Sequence, residues 1–155
     1  MQKGRLGMVV VMGILALTTV TVAQEKKPLS PPGEASVKFD DGKTVTIQYS
    51  RPSMRGRKIF GGLVPYGQVW RTGANAATSL QTDVDLTIGG ANVPAGSYTL
   101  YTLPGMNSWK LIINKQTGQW GTEYSQGQDL ARVNMKVGQL PSGMETFTIS
   151  LDKTS

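Results

Sequence analysis

Five cations stand between residues 51 and 71: Arg51, Arg55, Arg57, Lys58 and Arg71, with Gly56, Gly61, Gly62 and Gly67 among them. Arginine forks hold a carboxylate, phosphate or sulfate through paired hydrogen bonds, and backbone N–H groups beside glycines add donors. The competing reading is a set of solvated loop charges, one or two of them paired with Asp or Glu across the fold. Phe60, Tyr66 and Trp70 share the block, and Trp120 and Tyr124 follow downstream. Aromatics beside polar groups suit sugar stacking or an apolar pocket. The chain has three Trp and three Phe, so its core needs them too, and Trp70 and Trp109 read first as core. Arg71-Thr72-Gly73-Ala74-Asn75 joins a fixed cation, a hydroxyl, a flexible turn and an amide. Such groups orient a ligand, and they also cap turns and satisfy buried backbone. The ligand-binding set that follows is Arg57, Tyr66, Trp70, Arg71, Thr72, Asn75 and Trp120.

The residues that are missing narrow the chemistry. The 155-residue chain has no His and no Cys. That removes Ser-His-Asp catalysis, thiolate nucleophiles, disulfides, imidazole ligands and zinc–sulfur sites. Any metal would need an all-oxygen site, and the sequence calls for no metal and no cofactor. Asp83 and Asp85, two apart on one strand face, are the nearest thing to a catalytic pair. A glycan hydrolase needs two carboxyls across a cleft, and neighbours on a strand face more often keep a sheet soluble. Glu123 and Asp129 are looser candidates. No nucleophile elbow, phosphate loop, dinucleotide fingerprint or EF-hand is present, so no catalytic residue is assigned.

Short strands are what must position these groups. Glycine is plentiful, 19 residues, as in turn-rich all-β chains. Ser36–Phe39 and Lys43–Ser50 flank Asp40-Asp41-Gly42 and read as a hairpin. Leu80–Ile88, Ser97–Leu103, the run from Trp109 to Asn114, Ala131–Val137 and Phe147–Leu151 alternate with period two. Ile112 breaks that alternation and implies that the second sheet face is partly covered. About seven strands with no helical period predict an all-β fold: an antiparallel sandwich or open barrel. Residues 51–79 form one long Gly/Arg-rich loop block, of the length that usually marks function.

The first 23 residues carry Lys3 and Arg5, an apolar run from Leu6 to Leu17, and small residues ending at Ala23. This is the pattern of a secretory signal peptide, with an uncleaved anchor as the alternative reading. Residues 24–34 read as a flexible leader and 35–155 as a single domain. Cleavage would leave 14 cations against 10 anions, too mildly basic for a nucleic-acid partner. It would also leave no stable membrane anchor, placing the mature protein in the periplasm or outside the cell.

One block of motifs is specific: Arg51-Pro52, Gly56 to Gly61, Leu63-Val64-Pro65-Tyr66-Gly67 and Val69 to Asn75. Downstream come Pro94-Ala95-Gly96-Ser97-Tyr98, Trp109 and Trp120-Gly121. In that order they resemble domain-of-unknown-function family 2911, a group of exported bacterial proteins, over roughly residues 30–151. The resemblance implies export, one domain and a common fold, and it carries no activity or ligand. Ala76 departs from the pattern, where the family would place an acid after the Asn.

These readings point to an exported, non-catalytic binding module for a small anionic or sugar ligand. The alternatives are a structural or interaction protein of the cell envelope and a carboxylate-based glycan hydrolase. No protein partner can be named from the residues.

Overall fold

A computed structural model of the chain describes residues 29–154. The expected signal peptide and the first residues of the leader lie outside the described residues. Eight strands follow in order: β1 (Pro32–Lys38), β2 (Thr44–Ser50), β3 (Thr78–Thr82), β4 (Leu86–Ile88), β5 (Ala91–Val93), β6 (Gly96–Leu103), β7 (Trp109–Asn114) and β8 (Asp129–Met135). Six form one antiparallel sheet, in the order β1-β2-β3-β6-β7-β8, and β4 and β5 form a separate hairpin. The fold is all-β, with an open main sheet whose edges are β1 and β8.

The first hairpin matches its sequence pattern. Val37 faces Val45 and Ala35 faces Ile47 across the register. The turn closes through Phe39 N–H donating to Lys43 O at 2.8 Å, with Gly42 at φ 86°. However, β1 begins at Pro32, so it takes in Gly33 and Glu34, which the sequence reading gave to the leader. Gly33 lies under the end of β2, where a Cβ would come within 2.6 Å of the Arg51 side chain. A larger residue there would displace the Arg51 and Tyr49 side chains.

Two expected strands differ from the structure. The run Leu80–Ile88 breaks at Thr82, whose hydroxyl donates to Val84 O at 2.6 Å and accepts from Val84 N at 3.2 Å. That local turn competes with the ladder and ends β3. Phe147–Leu151 keeps its alternation, yet it forms no strand. One backbone bond, Phe147 N–H donating to Pro52 O at 2.9 Å, and several side chains hold it instead. The Tyr49 hydroxyl accepts from Ile149 N at 2.9 Å and donates to Ile149 O at 3.3 Å, and Arg51 donates to Phe147 O and Thr148.

One sheet face carries the apolar core: Val45, Ile47, Tyr49, Leu80, Leu100, Ile113 and Val133, with Val93 of the small hairpin. The other face is covered too, as Ile112 implied. Tyr101, Ile112 and Asn114 are fully buried there. The chain after β7 supplies the polar partners. Gln119 donates to the Tyr101 hydroxyl at 2.8 Å, and Asn114 donates to Ser125 O and Asp129, each at 2.9 Å.

Asp83 and Asp85 serve the fold. Asp83 accepts from the Thr44 amide at 2.8 Å and its hydroxyl at 3.0 Å, and Asp85 accepts from Ala95 N at 2.8 Å. The Thr44 amide, then its hydroxyl, hold the Asp83 carboxyl below the usual carboxylate range. A depressed native pKa means the contribution is complete above the unfolded-state value, about 3.9, and is lost as pH falls through the native one. Asp83→Asn is therefore expected to flatten the acid limb of the stability profile below about pH 4. Urea unfolding of both proteins from pH 2 to 6 checks it, and parallel curves would refute it.

Candidate functional site

Residues 51–76 hold no regular strand, and isolated pairings anchor them instead: Ser53 with Thr146, Phe60 with Val64, Trp70 with Thr102, and Ala76 with Trp120. The Trp70 pairing fixes the site. Since β3 pairs with β6 only as far as Leu100, the next stretch of β6 has a free edge. Trp70 takes that place, donating to Thr102 O at 2.8 Å and accepting from Thr102 N at 3.0 Å. Thr72 follows at φ 58°, with its hydroxyl donating to Trp70 O and to the Thr102 hydroxyl. Its own carbonyl accepts from the buried Thr78 hydroxyl at 2.8 Å. These bonds turn the chain back into β3.

A cleft of about 900 Å³ opens beside this segment. Residues 52–54, 57–60, 63–65, 68–71 and 73–74 line it, with Tyr101, Gly121, Thr122 and Tyr124 from the chain around β7, and Met144, Glu145 and Phe147 from the tail. Its volume falls at the upper end of ordinary small-molecule sites. Behind it runs an edge-to-face row of rings. Tyr49 and Phe147 are 5.6 Å apart, Phe147 and Trp70 5.2 Å, Trp70 and Phe60 5.6 Å, and Phe60 and Trp109 4.6 Å. Such pairs add stability beyond the area they bury, so the row is rigid.

The basic cluster divides. Arg51 ties down the tail, and Arg55 donates to Leu29 O at 2.9 Å. Arg57 lines the cleft while donating to Met54 O at 3.0 Å and Ser53 O at 2.9 Å, closing its own turn. Arg71 is different. It lines the cleft half-buried, with no carboxylate partner among the described residues, and its Nε is buried without an acceptor. Buried donors almost always find partners, so an orphan at a cleft marks a place where a ligand acceptor fits. Arg71 lies where it does because position 121 is glycine: a Cβ there would overlap the arginine stem and come within 2.7 Å of Asn75 O. Gly121→Ala is expected to displace the guanidinium and destabilise the domain by about 1–3 kcal/mol, the usual range for overpacking. Chemical denaturation reads the cost, and unchanged stability would mean that the segment yields freely.

Of the seven residues singled out from sequence, Arg57, Trp70 and Arg71 line the cleft. The other four lie outside its lining. Tyr66 is exposed and packs over Gly61, Thr72 is buried beneath the turn, and Asn75 sits in a turn at φ 60°. Trp120 is 53% exposed and meets Ala76 through its backbone. Ala76, the departure from the family pattern, likewise lies outside the lining.

Tyr101 and Phe147 line the cleft without having been singled out as binding residues, and Tyr124, named among the candidate aromatics but left out of the ligand-binding set, lines it too. Tyr124 donates to Asp129 at 2.6 Å and accepts from Arg132 at 2.6 Å, and its ring lies 4.9 Å from that of Tyr101. Burial pushes both phenols above their usual range, with Asp129 adding to the effect at Tyr124, so both stay protonated at neutral pH. One signal was present. Tyr98 and Tyr101 are three apart on one strand, so they point to opposite faces. Glu145 is the sole carboxylate in the lining among the described residues, and its Oε1 accepts from Arg55 N at 2.8 Å. Among the described residues no group of three or more His, Cys, Asp or Glu is placed to hold a metal ion.

Fold and cleft together define an all-β domain with an aromatic-backed, basic cleft beside the segment that pairs with β6. The chain belongs to the family described as protein of unknown function DUF2911, whose model matches residues 30–155. No curated protein and no solved structure matches it. Among the described residues no helix is long and apolar enough to cross a membrane.

Proposed function

We propose that the protein is an exported, non-catalytic binding module that holds a small anionic or sugar ligand in the cleft beside Trp70. The observation that carries this reading is Arg71: a half-buried cation without a carboxylate partner among the described residues, its Nε orphaned, on the cleft wall. A guanidinium in that setting is a ready receptor for an anion, because among the described residues its Nε has no acceptor. The cleft's acids weigh against the glycan-hydrolase alternative. Glu145 alone lines the cleft among the described residues, whereas glycoside hydrolysis generally takes a pair of carboxyls.

The envelope-protein reading has an observation of its own. Arg51, Arg55 and Arg57 all donate to backbone carbonyls, so much of the basic block holds the chain together. The two readings separate in a thermal-shift titration of the purified protein with acetate, phosphate, sulfate, glucose, maltose and decanoate. A bound ligand at 100 times its Kd adds about 2.7 kcal/mol, a rise of several degrees. A rise with at least one of them supports the binding module. No rise with any, together with early unfolding of Arg71→Ala, transfers the block to a structural role. Export is checked separately, by N-terminal sequencing of the extracytoplasmic fraction, where Gln24 is the expected first residue.

A further inference from the structure

Resting on that reading, we infer that the cleft takes an amphipathic monoanion: a carboxylate or similar head on an apolar chain or ring. The walls speak first. Ile59, Phe60, Leu63, Val64, Val69 and Trp70 come from one side, and Met144 and Phe147 from the tail. Leu63 is 59% exposed and Met144 53%, so the lining offers apolar surface that a ligand can cover. Burying such surface is the main source of affinity for an apolar body.

The polar groups of the lining decide between an anion and a sugar. Most are already engaged. The Tyr101 hydroxyl donates to Glu123 O and accepts from Gln119. Tyr124 is held between Asp129 and Arg132, and Ser53 hydrogen-bonds Thr146. Glu145 accepts from Arg55 N, and Arg57 donates to two carbonyls. A sugar would bring several hydroxyls to a wall whose open neutral side chains are Gln68 and Thr122, at a desolvation cost for each hydroxyl left unmatched. An amphipathic anion needs one strong polar partner, which Arg71 supplies. Lys58 and Arg57 add positive charge against Glu145 alone. A bare phosphate or acetate would leave most of the cleft's 900 Å³ and its apolar wall unused.

The test uses the purified protein with 1-anilinonaphthalene-8-sulfonate as reporter, and decanoate and 2-naphthoate as ligands. Acetate presents the head alone, 1-decanol the tail alone, and maltose the sugar alternative. Decanoate or naphthoate is expected to displace the reporter and raise the melting temperature, binding on the order of a hundredfold tighter than acetate or 1-decanol. Leu63→Asp, at an exposed position, is expected to weaken decanoate about tenfold, since it places an anion among the walls. Arg71→Ala is expected to bring decanoate down to the level of 1-decanol.

If Arg71→Ala fails to fold, the head-against-tail comparison on the unaltered protein and Leu63→Asp still decide. Maltose or phosphate binding as tightly as decanoate overturns this inference and leaves the binding module standing. Failure of every probe to bind folded protein overturns both. So does a dimer in sedimentation whose formation excludes the reporter, because a second copy then fills the cleft.

Discussion

Arg71→Met is expected to lose about a hundredfold in affinity for an anionic ligand and to gain stability at the same time. Hydrogen bonds to a charged group contribute about 1.5–3 kcal/mol, which corresponds to roughly 10- to 150-fold in Kd. Methionine keeps the apolar stem that lies against Gly121 and removes the guanidinium whose Nε has no acceptor. Deleting a buried, unsatisfied donor relieves its desolvation cost, so the unliganded domain is expected to gain up to about 1 kcal/mol. Arg71→Lys is expected to recover only part of the affinity, because an ammonium is a point charge without the planar fork. Calorimetric titration with decanoate and a melting curve without ligand read the two effects separately. A fall of several degrees in the melting temperature of Arg71→Met would make Arg71 a structural residue and remove the main support for the binding reading.

Trp70→Ala is expected to carry the largest loss of stability, about 3–5 kcal/mol, the range for truncating a packed aromatic. The indole holds edge-to-face contacts with both Phe60 and Phe147, so its loss breaks the ring row in the middle. For a domain of this size the loss lowers the melting temperature by about 10 °C or more. Trp120→Ala is the matched control. That side chain is 53% exposed and meets Ala76 through the backbone, so its removal is expected to stay within about 0.5 kcal/mol. Similar losses for the two variants would contradict the division of the tryptophans between wall and surface.

That division shows where sequence reading reaches and where it stops. Trp70 and Trp120 both sit beside a glycine-rich stretch, and composition reads Trp70 first as core without giving it a place in the fold. What separates them is the free edge that β3 leaves on β6, a consequence of where a distant strand begins. Thr72 and Asn75 carry groups that orient ligands in pockets, but both adopt positive φ and spend themselves on turns. Phe147 was read as a strand residue because its neighbours alternate. The alternation records one buried side, and beyond the single backbone bond to Pro52 O, Tyr49 and Arg51 supply hydrogen bonds that a ladder would have given.

By itself the sequence determined the all-β class, the first hairpin, the coverage of both faces around Ile112, the family, and the block in which the cleft would lie. All of these follow from local pattern: period-two alternation, turn residues at fixed offsets, and a run of motifs in order. Only the tertiary structure decided which arginine remains unpaired, that Tyr101 and Tyr124 line the cleft, and that Asp83 and Asp85 fasten strands. Those outcomes depend on partners far apart in the chain, Arg71 with Gly121, Tyr124 with Tyr101, and Asp83 with Thr44. Hydrogen-bond satisfaction is settled by the acceptors that folding brings within reach, and no residue type or spacing carries that information before the sheet has formed.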